Sequence, residues 1–363
     1  MTTTTSSIIK QLLVLFLVFA GLHYAKGFLM PLSIGGVLAT LFLPFCKWME
    51  GKKVPKGIAA LVCLLVLLLT IAGIVALLGW QVSQLTGDFT LLKQKAMDTG
   101  ARIQEFIFNH LGISTEKQSQ ILKDEQPSLT DIMQLVAGSL SYFFTNFILV
   151  LAYIFLLLYY RVHIHRFFIK LTPPSQQNEM EQVVSGVARV SQQYLLGLTK
   201  MIVCLWIMYG IGFTLLGIKN ALFFAILCGL LEIVPFIGNI TGTTLTVSVA
   251  AVQGASLPIL VGIVSTYGAV QFIQGWVLEP LILGPQVKIN PFTTILALIL
   301  GEMVWGIPGI FLAIPLIAMF KIVCDHIESL KPFGFLIGEI ETGKTELGVI
   351  KKIKSLYKKN REK

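Results

Sequence analysis

Apolar residues fall in long runs separated by short polar knots. Runs long enough to cross a bilayer core lie at 8–24, 28–46, 57–80 and 137–160, and again at 201–217, 220–250, 257–278 and 291–323. They predict an all-α polytopic membrane protein with eight transmembrane helices. Two segments between the runs carry a weaker helical pattern. In 81–136, Leu92, Ala96, Ile103, Phe106 and Ile107 recur at helical spacing. This predicts a small helical soluble insertion whose apolar stripe lies either on its own spans or on a partner subunit. After Pro173 and Pro174, Met180, Val183, Val187, Val190, Tyr194 and Leu195 share one face. That amphipathic segment either follows the membrane surface or covers the inner mouth of a pathway. The chain thus divides into membrane helices one to three (1–80), the insertion (81–136), helix four with the amphipathic segment (137–200), a C-terminal membrane core (201–325) and a tail (326–363).

Within that core two runs repeat each other at an offset of seventy residues. Asn220, Glu232, Val234 and Ile237 recur as Asn290, Glu302, Val304 and Ile307. Each glutamate stands twelve positions beyond its asparagine, roughly 18 Å along a helix and near the middle of an apolar core about 30 Å thick. Intramembrane acids usually face a bundle interior or a water-filled path, so both are candidates for a translocation site. The alternative is a chance match with two structural glutamates bonded to nearby hydroxyls. Each glutamate precedes a Pro/Gly break, Pro235 and Gly238 in one run and Gly306, Pro308, Gly309 and Pro315 in the other. Proline removes a backbone donor, and freed backbone groups inside a membrane must be satisfied by protein or cavity water. The paired breaks therefore predict two broken-helix hairpin repeats and mark where a pathway forms. Counted through eight crossings, the hairpins 201–250 and 257–323 run in the same sense, as parallel repeats.

Polar residues cluster at the same place. Asn239, Thr241, Thr243, Thr244 and Thr246 follow the first break, and their side chains either bind a solute or bond back to helix carbonyls. Gln271 and Gln274 form a strip one helical turn apart. It leads into the linker 279–291, where Glu279 is followed by Pro280, Pro285 and Pro291. Three prolines in thirteen residues argue against a regular helix and suggest a re-entrant cap on the outer face. The pathway set is Glu232, Pro235, Gly238, Asn239, Thr241, Thr243, Gln271, Gln274, Glu279, Glu302, Pro308 and Gly309.

Composition agrees with a membrane protein: 55% of residues are hydrophobic and only 13% charged, against about 25% in a soluble domain. The formal charge of +9 is mostly local, because 351–363 holds seven basic residues and Glu362. This tail suits anionic lipid at a cytoplasmic surface, and without a basic soluble domain nucleic acid is not a partner. Lys47, Lys52, Lys53 and Lys56 follow the second run, and Arg161, Arg166, Lys170, Arg189 and Lys200 follow the fourth. By the positive-inside rule both groups are cytoplasmic, which places both termini there and 81–136 outside. The first run is read as a retained anchor rather than a cleaved signal, since no small-x-small site follows it.

Cys46, Cys63, Cys204, Cys228 and Cys324 lie in or beside apolar runs without metal-ligand spacing, and read as packing residues. The chain carries no HExxH, GxSxG, P-loop or dinucleotide fingerprint. Neither an enzyme, a cofactor nor a metal is called for.

Three blocks resemble the AI-2E family of bacterial transporters, which includes exporters of autoinducer-2: ALFFAILCGLLEIVPFIGNITG at 221–242, QFIQGWVLEPLILGPQVKINPF at 271–292 and GEMVWGIPGIFLAIPLIAMFKIV at 301–323. The order of spans and the insertion before the fourth are similar as well. Many relatives have an acid and an amide-type residue near Gly275 and Trp276, Pro in place of Asn239 and Gly in place of Glu302, which weakens any transfer of substrate. The resemblance implies a bacterial inner-membrane transporter and, as in some members, a ring-shaped homo-oligomer such as a pentamer. Two function classes follow. One is a secondary transporter, exporting a small polar solute such as autoinducer-2 or exchanging a monovalent cation such as sodium for protons. The other is a structural or regulatory membrane assembly.

Overall fold

A computed structural model describes residues 2–86, 129–235 and 237–339. The predicted stripe at 92–107 and the basic tail at 351–363 lie outside the described residues. Helices α1 (Thr2–Tyr24) and α2 (Lys26–Gly51) meet at Ala25, while α3 (Lys56–Thr86) and α4 (Leu129–Leu171) flank the insertion. Pro174 opens a 3-10 turn that feeds the long α5 (Gln177–Leu215). Among the described residues six helices are long and apolar enough to cross a membrane: Lys26–Gly51, Lys56–Gln81, Ser141–Leu171, Pro174–Leu215, Leu257–Leu283 and Ile307–His326. The amphipathic segment is the first half of α5, so the boundary drawn at 200 falls inside one helix. Val190, Tyr194 and Leu195 are buried on it.

Helices α2, α3 and α4 share a core of Ala39, Cys46, Ala59, Ala60, Cys63, Ile154 and Leu158. It is closed at one end by the Arg161 guanidinium, which pairs with Glu50 and also donates to the Leu158 carbonyl at 3.0 Å. That end carries the lysine loop and the start of α5; it is termed the lysine-rich face, and the end bearing the insertion is the insertion face.

The run at 220–250 does not cross as one kinked rod. It folds back on itself, as α6 (Ala221–Leu231) and α7 (Ile237–Val252). Cys228 Sγ lies 3.6 Å from Thr246 Oγ1, and Gly238 packs so tightly on the Leu231 carbonyl that a Cβ there would collide with it. Small residues at such crossings let helix backbones approach where lipid gives no hydrophobic drive. The run at 291–323 does the same. Helices α10 (Pro291–Trp305) and α11 (Ile307–His326) turn at Gly306, whose φ of +65° suits glycine, and press Gly301 against Gly309 backbone to backbone. The seventy-residue repeat maps directly onto these hairpins: Asn220 and Asn290 precede the first arms, Glu232 and Glu302 stand near the tips, and Ile237 and Ile307 open the second arms.

The two hairpins open to opposite faces. The first hairpin has its first arm antiparallel to α5, since Gly229 lies against the Ile202 carbonyl while Ala225 lies against Gly210, with Trp206 Nε1 donating to the Ile226 carbonyl at 3.1 Å between them. Its open end lies at the insertion face, where Asn220 Nδ2 donates to Gln81 Oε1 of α3 at 3.3 Å. The next long helix, α8 (Leu257–Ile273), runs antiparallel to α5, with Thr266 against Gly212 and Ile282 against Gly197. It delivers the chain to the lysine-rich end of α5, from which the second hairpin rises and to which it returns, with Ile322 against Gly186. The expectation of parallel repeats is therefore corrected. Each unit is a long helix followed by a hairpin, and the second unit is inverted relative to the first. Because each hairpin returns to the face it left, 253–256 and 284–290 lie on the faces opposite to those expected from single crossings.

The linker also differs from its expected form. Gln274–Leu283 continues α8 as a π-helix with Pro280 inside it, and α9 (Gly284–Val287) follows. Wider i→i+5 turns of this kind occur where the ordinary ladder is interrupted, as it is by a proline without a donor. The segment lies toward the lysine-rich face, not as an outer cap, and Asn290 Nδ2 ties its end to the carbonyls of Leu336, Ile337 and Gly338 beside α12 (Lys331–Ile337).

Candidate functional site: a cavity at the first hairpin tip

Helix α6 stops at Leu231, because Pro235 cannot continue its hydrogen-bond ladder. Glu232 caps the helix, its N–H donating to the Cys228 carbonyl at 3.1 Å. This directs its side chain away from α6 and onto α8. There the Gln274 amide donates to Glu232 Oε1 at 3.1 Å, Gln271 donates to Gln274 Oε1 at 3.3 Å, and Gln271 also donates to the Tyr209 hydroxyl at 3.2 Å. The strip on α8 thus joins hairpin tip to α5. Glu232 is only 6% exposed, and its Oε2 has no hydrogen-bond partner among the described residues. Buried carboxyl oxygens are seldom left without partners, so this atom stands out in the fold.

Glu232 lines a cavity of 460 Å³. The cavity runs from Lys288 and Glu339, on the lysine-rich side, past Tyr194 and Thr294 to Glu232, Asn239 and Gln271. Carboxyl groups of Glu232, Glu279 and Glu339 face it with Lys288 as the basic residue, and Asn239, Gln271, Gln274 and Thr294 supply neutral donors and acceptors. Toward the insertion face the way is filled. Tyr209, Phe213 and Tyr267 form a buried aromatic group with ring centroids 4.8–5.8 Å apart, and the Tyr267 hydroxyl is engaged with Cys228 Sγ.

Of the sequence-derived set, Glu232, Pro235, Asn239, Gln271, Gln274 and Glu279 come together around it. The others do not line it. Thr243 bonds back to the Asn239 carbonyl at 2.9 Å, Thr241 is exposed, and Gly238 is used up in the hairpin crossing. Gly309 is buried against Gly301, Pro308 sits in the first turn of α11, and Glu302 is exposed on the outside of α10. Tyr194, Lys288, Thr294 and Glu339 line the cavity without having been singled out as pathway residues. For Tyr194 the signal was its place on the buried face of α5; the other three depend on the second hairpin rising from the lysine-rich side. No three metal-ligating side chains converge among the described residues.

Residues 12–329 match the model of the AI-2E family transporters. The chain is 28% identical to YueF of Bacillus subtilis (strain 168) over 80% of its length and 82% of that protein's. It is 24% identical to YhhT of Escherichia coli (strain K12) over 92% and 95%. Both carry the name "Putative transport protein". "AI-2 transport protein TqsA" of Escherichia coli (strain K12) is 20% identical over 92% of this chain and 96% of its own.

Proposed function

The chain belongs to the AI-2E transporter family, and from that premise we propose that it moves a small polar solute by alternating access, with export of an autoinducer-2-type signal as the specific assignment. One observation carries the proposal. A cavity is lined by a buried glutamate, held through one carboxyl oxygen and without a described partner at the other, where a re-entrant hairpin meets a long helix of the inverted unit. Discontinuous helices that meet at an inverted-repeat interface are where secondary transporters build their sites. In this conformation solute enters from the lysine-rich face and meets Glu232, Asn239 and Gln271. Release on the other side requires the first hairpin to part from α8, opening the seam at Tyr209, Phe213 and Tyr267.

The lining sets the substrate class. Three carboxyl groups against the one lysine disfavour an anion, while the amides and Thr294 offer paired donors and acceptors to an uncharged polyol-like solute. Lysine placement supports a cytoplasmic lysine-rich face, hence export for a solute entering there, and cytoplasmic termini in a bacterial inner membrane. The autoinducer assignment draws on the name of TqsA. Coupling to a proton or sodium gradient is assigned to Glu232, the buried one of the three acids that line the cavity.

The second glutamate supports assembly of several copies. Glu302 is exposed on α10, about 18 Å along the helix from Asn290, and a carboxylate facing lipid at that depth is costly. A neighbouring copy of this chain is the cover assigned to it.

Paired uptake and efflux in everted vesicles test the function, using autoinducer-2-type solutes and, separately, sodium. Solute flux above empty vesicles is the expected result. Sodium-stimulated proton movement without solute flux would replace it with a cation/proton exchanger, and neither would leave a structural assembly.

A further inference from the structure

A second cavity, 720 Å³ in volume, lies between α2, α4, α5 and α11 and shares no residue with the first. Its walls are apolar, built from Val37, Leu43, Leu157, Val184, Leu316 and Met319. Along α2 it extends from Ser33 to Lys47, about 21 Å of helix. Its ionisable groups gather at the lysine-rich end: Lys47, Arg161, His165 and Glu181, with the hydroxyls of Ser33, Thr40 and Ser185 elsewhere along the lining. Arg161 is held by Glu50 and His165 lies 3.9 Å from Glu181, so the exposed Lys47 ammonium is the charge left to a ligand.

Exposed aromatic residues fix the level of this mouth. Trp48, Tyr159 and Tyr160 stand beside Lys47 and Arg161, with Lys52 3.8 Å over the Trp48 ring. Aromatic rings next to lysines belong at the boundary between lipid headgroups and tails. A cavity that opens there, runs parallel to a membrane helix and is apolar along its depth matches a phospholipid turned alongside the protein. A methylene takes about the room of a water molecule, roughly 30 Å³, so the space holds one acyl tail of ordinary length with room at the glycerol end. Basic pockets between membrane helices on the cytoplasmic side attract anionic headgroups. The basic segment 351–363 is a poor occupant, because it would bring further positive charge to Lys47.

We propose that this cavity is a binding site for one anionic phospholipid, with an acyl tail along α2 and the phosphate at Lys47. The proposal is independent of the transported solute. Gly36 provides the test of the tail, since a Cβ built there meets only Leu157 Cδ1, at 3.8 Å, and a larger side chain grows into the cavity without touching backbone. The full chain, stripped of lipid in detergent, is incubated with dioleoyl phosphatidylglycerol or dioleoyl phosphatidylcholine and weighed by native mass spectrometry, with melting followed in parallel. Wild type should retain one phosphatidylglycerol per chain in preference to phosphatidylcholine and melt higher with it. Lys47→Gln should lower that preference about fivefold, the factor for one basic residue at an anionic surface. Gly36→Leu should lose retention of both lipids, and Ser33→Leu serves as the second filler if Gly36→Leu fails to give a monodisperse protein. Equal retention of the two lipids by wild type, or undiminished retention in a folded filler variant, would overturn the site; loss in Lys47→Gln alone would mean surface attraction and overturn it equally.

Discussion

The Gln274 amide nitrogen lies 3.1 Å from Glu232 Oε1, and the bond joins the tip of one repeat to the long helix of the other. At the repeat offset, Gln274 stands where Cys204 stands in α5. Glu302 therefore meets no amide at the related place, which is one physical reason why one glutamate is buried and held while its copy is exposed. Replacing Gln274 with Leu leaves the Glu232 carboxyl without its donor. We expect a loss of about 1–3 kcal/mol in stability, the cost of stranding a buried polar group, read as a lower denaturation midpoint in detergent. Glu302→Gln should leave that midpoint unchanged.

Inversion of the second unit is tested by labelling. Ser256→Cys lies at the insertion face and Lys288→Cys at the lysine-rich face, whereas parallel repeats exchange the two. In oriented vesicles an impermeant thiol reagent should label Lys288→Cys from the same side as a tag at Lys53, and Ser256→Cys from the side of the insertion. Reversed labelling would restore the parallel arrangement.

The repeated asparagines do different work. Asn290 caps α10 by accepting from the Thr293 N–H at 2.8 Å, and its amide donates to three carbonyls near α12. Asn290→Ala should cost about 1–2 kcal/mol. Asn220 has a left-handed backbone with φ of +65° and caps through no side-chain bond. Asn220→Gly should be tolerated better than Asn220→Ala, because alanine resists that conformation by about 1–2 kcal/mol. Denaturation midpoints of the three variants rank the effects.

Close approach of Gly301 and Gly309 defines the second hairpin. Gly309→Val should destabilise by roughly 1–3 kcal/mol, as overpacking does, and reduce the monodisperse fraction on size exclusion. A fully folded Gly309→Val protein would mean that the arms are not packed this way.

Much of this arrangement was legible in residue pattern. Asn220, Glu232 and Ile237 fall at the start, tip and second arm of a hairpin, and their copies at +70 do the same. Whether the break at Pro235 bends the chain or reverses it was not legible, since both arms are apolar and the period is the same in either case. The excess length of the run was legible, since thirty-one residues at 220–250 make about 46 Å of helix, more than one crossing needs, but length alone does not say which way the second arm turns. The same ambiguity hid the inversion and moved the linker to the wrong face. Thr243 was ambiguous for another reason, because a hydroxyl four residues after a carbonyl can bond back to it, as it does to Asn239.

The central claim is that solute passes Glu232. Vesicles holding equal amounts of wild type and Glu232→Gln test it directly, because glutamine keeps the size of the side chain and can still accept from Gln274. Autoinducer-2-type solute flux should fall about ten- to a hundredfold in the variant, the range for leaving a hydrogen-bonding partner in a buried site unmatched, with the denaturation midpoint held. Flux equal to wild type, with an unchanged response to pH, would contradict the account.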